Sequence, residues 1–397
     1  MVPEEWSQQR IGDIATLVTS GSRGWARYYS NDGDRFIRIT NLRRDSIEPD
    51  YGDLKHVSLP SELNEGKRTR LQAGDLIMSI TADLGIVGLI EKEPEVSSYI
   101  NQHIALIRLD RDAVYPRFVA YQLASPHFQW RITRLNDPGA KAGLNLQTIR
   151  TIPVNLPPLL EQKKIAKILA TWDRAIETVE NLIANSQIQK KALMQQLLTG
   201  QERLPSFSEN WQHLPLSECA QCLDNRRVPL NKEERSQIQG DIPYYGANGI
   251  VDSINQYIFD QDLVLLAEDG GYFDDFATRP IAQFVSGKSW VNNHAHILIA
   301  RQNTSEKWLY YSLVHRNILA YINAGTRAKL NKSDMLSIPV ALPPLNEQFA
   351  IIQVLDCASN SIDALTARLT HLNQEKAALM QQLLTGKRRV KVMEDAA

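Results

Sequence analysis

Cysteines, histidines and clustered carboxylates are where this 397-residue chain would carry catalysis or bind a metal. "CAQC" places Cys219 and Cys222 at the spacing of half a zinc site, but one pair cannot fill four tetrahedral positions. His213 is the only other plausible ligand nearby, so the motif reads as two buried thiols beside a strand. His103 and His294 occupy matching positions and read as hydrogen-bonded core histidines. "GSRGW" (Gly21–Trp25) lacks the spacing and strand context of a serine nucleophile elbow. No GxxxxGK[ST] is present, and no GxGxxG opens a helix after a strand. An adenine N6-methyltransferase would need [D/N]-P-P-[Y/F] to hold a flipped base. "NLPPLL" and "ALPPLN" put Leu before the prolines and lack the aromatic. The residues that could do chemistry therefore predict a non-catalytic chain with no bound metal.

The organisation around those residues is a repeat. "ALMQQLLTG" occurs at Ala192 and again at Ala378, and a shift of 186 also lays "IPVNLPPLLEQ" (Ile152–Gln162) over "IPVALPPLNEQ" (Ile338–Gln348). Upstream the identity fades, with "GDLIM" (Gly74–Met78) over "QDLVL" (Gln261–Leu265), "NQH" (Asn101–His103) over "NNH" (Asn292–His294), and Trp6 over Trp211. Two diverged blocks are each followed by one that opens on "LPPLxEQ" and closes on "ALMQQLLTG". The boundaries fall at 1–155, 156–200, 201–341 and 342–390, with a tail over 391–397.

The repeated blocks predict long helices. Apolar residues recur at alternating steps of four and three: Ile165, Leu169, Trp172, Ile176, Val179, Ile183, then Leu193 and Leu197. The second block gives Ile351, Leu355, Ala358, Ile362, Leu365, Leu369, Leu372, Leu379 and Leu383. That period belongs to a coiled-coil seam. Pro-Pro sets each start, and Gly200 or Gly386 each stop. At 1.5 Å per residue, Glu161 to Leu198 would run roughly 57 Å. Seams matched in length and register predict that the two helices pair antiparallel. Trp172 stands over Ala358, which suggests large-against-small packing.

The diverged blocks mix strand and helix signals. "DRFIRITNL" (Asp34–Leu42), "GDLIMSI" (Gly74–Ile80), "IVGLI" (Ile86–Ile90) and "HIALIRL" (His103–Leu109) read as strands. "PRFVAYQLASPHFQWRI" (Pro116–Ile132) has helical spacing behind a proline. "DLVLLA" (Asp262–Ala267), "HAHILIA" (His294–Ala300) and "EKWLYYSLVHRNILAYI" (Glu306–Ile322) repeat the scheme. The fold class is α+β: two mixed α/β domains separated by two long helices in an antiparallel coiled coil, with pseudo-two-fold internal symmetry.

Composition excludes several classes. No apolar run reaches the roughly 18 residues that span a bilayer, and "MVPEEWSQQR" is not a secretory signal. Three cysteines fit a reducing cytoplasm. The net charge of −1 excludes a uniformly basic protein. Local patches remain open, because 15 of the 19 cations in residues 1–150 are Arg, the side chain shaped for phosphate or guanine. Two related, diverged domains joined by matched rigid helices suit double-stranded DNA read at two separated half-sites. A protein-interaction scaffold with two binding modules on a coiled coil is the rival from another class.

The order variable block, "LPPLxEQ" helix, variable block, "LPPLxEQ" helix, with each helix ending in "LLTG", resembles the specificity subunit of type I restriction-modification enzymes. "YYGANGIVDSINQYIFDQDLVLLAEDGG" (Tyr244–Gly271) and "FIRITNL" (Phe36–Leu42) resemble segments of that family's target-recognition domains. The resemblance covers essentially the whole chain. It implies two target-recognition domains, at 1–155 and 201–341, reading the halves of an asymmetric bipartite double-stranded DNA target. It also implies two docked methyltransferase subunits and, through the complex, motor-nuclease subunits. S-adenosylmethionine, ATP and Mg would then sit on those partners, with no cofactor in this chain. One departure stands out: "QERLPSF" follows the first "LLTG" directly, so no tandem spacer repeats are visible.

Candidate DNA contacts come from loops that mix cations, aromatics and amides. "SGSRGWARYYSNDG" (Ser20–Gly33) offers Arg23, Trp25, Arg27 and Tyr28, and Arg43 with Arg44 follow a strand. The second diverged block offers Arg226, Arg227, Tyr244, Tyr245 and Asn248. Lys141 and the matching Arg327 precede "AGLN" and "AKLN". Arg can grip guanine edges and Asn adenine edges in the major groove.

Overall fold

The computed structural model describes residues 3–60, 64–134, 143–323 and 328–391. The chain forms two compact units that cut across sequence order: Met1–Glu180 with Ala367–Ala397, and Asn181–Thr366. Each long helix contributes one half to each unit.

In the first unit, Ser7–Arg10 pairs antiparallel with Pro153–Leu156, closing the diverged block on itself immediately before Pro157. Between them lie two four-stranded sheets. The first runs Ala15–Ser20, Ile104–Leu109, Leu76–Ser79, Val87–Leu89, all antiparallel. The second runs Tyr29–Ser30, Lys55–Val57, Asp34–Ile37, Ser98–Ile100, with the last pair parallel. All four residues of Leu76–Ser79 are buried, because alternate side chains serve different cores. Leu76 and Met78 join the helix Pro116–Ala124 and the long helices, while Ile77 packs with Ile37, Ile100 and Leu106.

The second unit repeats this plan. Gln212–Pro215 pairs with Pro339–Leu342. One sheet runs Ala220–Cys222, Ala295–Ala300, Leu263–Ala267, Ala282–Val285; the other runs Gly249–Ile254, Gln239–Gly246, Lys288–Val291, Phe259–Asp260. Again one pair of the second sheet is parallel. Trp6 meets Phe118 edge-on in the first unit, and Trp211 meets Trp308 edge-on in the second.

Two expected helices are interrupted. Residues 116–132 form Pro116–Ala124 and Pro126–Arg134 rather than one helix. Pro126 supplies no amide hydrogen and pushes Ser125 into the extended region (ψ 147). Residues 306–322 form the helix Glu306–Leu313 and the short 3-10 turn Leu319–Tyr321, whose start Asn317 caps by accepting the Leu319 amide at 3.1 Å.

The long helices are Leu159–Leu197 and Leu345–Leu383, 39 residues each, hence about 58 Å long. The repeated motifs explain their ends. Gln162 Nε2 donates to the Pro157 carbonyl (2.9 Å), and its Oε1 accepts the Tyr115 amide (2.9 Å). Gln348 does the same with the Pro343 carbonyl (2.8 Å) and the Ser305 amide (3.0 Å). Both are buried, so each helix start is tied to its own diverged block. The neighbouring glutamates reach the segments that follow "LLTG". Buried Glu161 binds Arg389 through Nε (2.9 Å) and Nη2 (2.8 Å); buried Glu347 binds Arg203 through Nε (2.5 Å) and Nη2 (2.7 Å). Arg203 and Arg389 each stand three residues past the glycine of "LLTG". Gly200 (φ +71) and Gly386 (φ +72) adopt the left-handed conformation that ends a helix. A Cβ on Gly200 would touch the Trp211 ring, and one on Gly386 would collide with Pro3.

These contacts make the pairing antiparallel. In the first unit Ile165 and Leu169 share a core with Met380 and Leu383, and Lys376 pairs with Asp173 at 2.5 Å. In the second, Met194 and Leu197 share one with Ile351 and Leu355. Ile165, Leu169, Ile176, Val179, Leu197, Ile351, Leu355 and Leu383 are buried. Trp172, Ile183, Leu193, Ala358, Ile362, Leu365, Leu369, Leu372 and Leu379 are half-buried. The Asp173–Lys376 pair sets Trp172 in the register of residues near 376, so the suggested match of Trp172 with Ala358 does not form. Antiparallel pairing sends repeat-equivalent positions to opposite ends.

Candidate nucleic-acid interface

In the first unit, the segment after strand Ala15–Ser20 is pinned by backbone and ring packing. A Cβ on Gly21 would collide with the Ile100 and Asn101 carbonyls, so glycine is required at that approach. Trp25 is 2% exposed and stacks on Phe36 at 5.0 Å, with Tyr99 at 5.2 Å. This corrects its assignment as a DNA contact: the indole anchors the loop in a small core with Val57. Tyr28 packs half-buried against that core. Arg68 holds the loop base through Thr19 Oγ1 (2.6 Å) and the Ser20 carbonyl (3.2 Å). What remains outward is Arg23, and Arg27 lying over the Tyr28 ring at 4.7 Å. Neither has a carboxylate partner among the described residues.

Arg43 and Arg44 are exposed but engaged. Arg43 makes a two-pronged pair with Asp45 (3.0 and 2.9 Å). That hydrogen bond and charge raise its pKa and lower that of Asp45. Arg44 binds Asp83, Gln129 (2.9 Å) and the Leu84 carbonyl (3.0 Å). Both arginines brace their own unit, and a DNA contact would have to compete with those bonds.

In the second unit the same sorting occurs. Tyr244 is 1% exposed and its hydroxyl accepts the Leu230 amide (3.0 Å), so it too is a core residue, correcting its assignment as a contact. Arg227 is half-buried, paired with Glu268 and donating to the Ala295 carbonyl (3.0 Å); it is structural. Tyr245 is half-buried against the core of the second sheet. Arg226 is exposed, over the Phe259 ring at 4.8 Å, with no carboxylate partner among the described residues. Asn248 is exposed at the turn between strands Gln239–Gly246 and Gly249–Ile254, held by the Gly270 carbonyl at 2.8 Å. Ile250 and Val251 beside it are 62% and 58% exposed. Lys141 and Arg327 lie outside the described residues.

Sequence reasoning missed Trp130, 56% exposed on the helix Pro126–Arg134, with the Arg134 guanidinium stacked at 3.7 Å. The spacing i, i+4 of aromatic and cation in "WRITR" was its signal.

Three histidines are held in place by hydrogen bonds. His103 Nδ1 bonds Thr81 Oγ1 and His294 Nδ1 bonds Asp269, each at 2.6 Å. His296 is buried, with Nδ1 on Asp224 (2.6 Å) and Nε2 on the Leu330 carbonyl (2.9 Å). Burial opposes charge on both. The hydrogen bonds win, raising His296 to about 9 and lowering Asp224 to about 2. No helix among the described residues is long and apolar enough to cross a membrane.

The family model described as "Type I restriction modification DNA specificity domain" matches residues 3–185 and 208–374. A putative type I restriction enzyme specificity subunit of Haemophilus influenzae is 36% identical over 157 residues, 39% of each chain. A putative MjaX specificity subunit of Methanocaldococcus jannaschii is 23% identical over 98% of this chain and 95% of its own. The fold matches a type I restriction-modification S subunit from M. genitalium, with a TM-score of 0.64, 15% identity, and coverage of 98% and 97%. It also matches a chain from work on complex assembly and conformational transition of the type I R-M system, with a TM-score of 0.57, 17% identity, and coverage of 98% and 100%.

Proposed function

Because this chain belongs to the type I restriction-modification DNA specificity family, we propose that it is the non-catalytic subunit that gives such a complex its sequence preference. It reads an asymmetric bipartite double-stranded DNA target in the cytoplasm, one half-site per unit, with the unread gap set by the two long helices. The observation that carries this reading is the repeat. One topology occurs twice, and the outward residues differ: Arg23 and Arg27 in one unit, Arg226 and Asn248 in the other. Equal scaffolds with unequal surfaces suit two unequal half-sites.

The helices would also dock two methyltransferase subunits, which recruit the motor-nuclease subunits. S-adenosylmethionine, ATP and Mg would be bound by those partners. Sequence repeated at the two ends of both helices, "LPPLxEQ" and "ALMQQLLTG", offers equivalent surfaces to identical partners. In the second unit a groove of ≈ 1080 Å³ runs along Ile188, Lys191 and Met194 beside His315 and Arg316, an apolar floor with cationic edges.

Sequencing genomic DNA for N6-methyladenine with and without this chain tests the reading. Loss of one split motif with a fixed gap on both strands supports it. An unchanged methylation pattern while the methyltransferase is expressed overturns it and favours a protein-binding scaffold.

A further inference from the structure

The second unit holds a group of side chains that DNA reading leaves without a role. Cys222 closes the strand Ala220–Cys222, Asp224 opens the turn two residues later, and His296 lies in the neighbouring strand Ala295–Ala300. One ligand atom from each falls within 4.8 Å of the other two. We propose that Cys222, Asp224 and His296 form a structural site for a thiophilic divalent cation, Zn²⁺ foremost, with Glu268 the next carboxylate beside the His296 ring.

The donor chemistry fits. One thiolate, one imidazole and carboxylates make a mixed set that Zn²⁺ accepts and that Ca²⁺ or Mg²⁺, which take oxygen ligands, would not select. Strand register supplies the geometry: Cys222 pairs with Leu298 and Leu266 with His296, so the ligands gather at one end of three adjacent strands. Glu268 Oε2 lies 3.8 Å from His296 Nδ1. Neighbouring ligands on a tetrahedral ion with bonds of about 2.0–2.3 Å are spaced roughly 3.3–3.8 Å apart.

The surroundings are also arranged. His296 Nε2 donates to the Leu330 carbonyl at 2.9 Å, which orients the ring with Nδ1 toward Asp224 and Glu268. A backbone carbonyl behind an imidazole is a common outer partner of a metal-bound histidine. Asp224 Oδ1 accepts the Ile297 amide at 3.0 Å, leaving Oδ2 for the ion. Arg227 and Lys329 flank Glu268 and offset the carboxylate charge. Uptake of one M²⁺ displaces two protons, from His296 Nδ1 and from the Cys222 thiol, so the cluster's net charge does not change. "CAQC" obscured this set because Cys219 turns into the apolar core and the histidine comes from a strand 72 positions beyond Asp224.

The test uses the full chain stripped with a chelator and titrated with Co²⁺. The proposal predicts a thiolate-to-Co²⁺ charge-transfer band that saturates at one ion per chain, persists in Cys357→Ser and disappears in Cys222→Ser. Alkylation needs no variant: Zn²⁺ should slow iodoacetamide labelling of Cys222 at least tenfold, and chelation should restore it. A folded chain with no charge-transfer band, or a labelling rate indifferent to Zn²⁺, overturns the proposal.

Discussion

Replacing Arg203 with Met removes the cation that Glu347 binds and leaves its carboxylate in place. Glu347 is fully buried and sits in the first turn of the second long helix, accepting Arg203 Nε (2.5 Å) and Nη2 (2.7 Å) and Trp211 Nε1 (3.1 Å). Stripping one partner from a buried pair typically costs about 3–5 kcal/mol, because the remaining charge is desolvated and uncompensated. The Trp211 hydrogen bond and the helix N-terminus retain part of the stabilisation, so the loss should be about 2–4 kcal/mol. For a unit of this size each kcal/mol moves the midpoint by roughly 2–4 °C. Calorimetry on the full chain should therefore show one transition falling by about 4–16 °C. Arg203→Met with Glu347→Leu should recover most of that loss, since an apolar pair of similar volume is often neutral. A shift below about 2 °C in Arg203→Met, or no recovery in the double variant, would refute the claim that the Glu347–Arg203 pair fastens the start of the second long helix to the segment after the first "LLTG".

Gly386→Val should destabilise the first unit by about 2 kcal/mol or more, because φ is +72 and a Cβ meets Pro3; urea denaturation reads the loss. Trp25→Ala should cost about 3–5 kcal/mol of stability through its cavity, and DNA affinity should fall only as far as that half unfolds, as seen by titrating both together. Arg226→Ala should lose about 1–3 kcal/mol of binding and relax preference at one base pair if it reads a guanine edge; competition with single-base target variants distinguishes this from a uniform phosphate loss. DNA affinity of the assembled complex should fall linearly in log[salt], whereas a protein-interaction scaffold should bind DNA weakly at every salt.

Much of the architecture was legible in the sequence. The 186-residue offset exposed the duplication, and a 4–3 apolar step with Pro-Pro and Gly ends fixed both long helices to within two residues. The central strands were visible as short apolar runs, since burial on both faces leaves no alternation. What was not legible is long-range partnership. Glu161 and Arg389 are 228 positions apart, and the motif "LPPLxEQ" does not say whom its glutamate will meet. Loop aromatics failed for a related reason. Trp25 sits among glycines, serines and cations, and Tyr244 beside a tyrosine, glycines and Asn248, the same company a DNA-facing ring would keep, and only the sheet behind each one decides that it points inward.

The proposed role requires each unit to read its own half of a split target. The most direct measurement is N6-methyladenine mapping in cells whose only copy of this chain carries Arg226→Ala and Asn248→Ala together. The motif should relax in one half alone, with the other half and the gap length unchanged. Relaxation spread over both halves, or a motif without a gap, would contradict it.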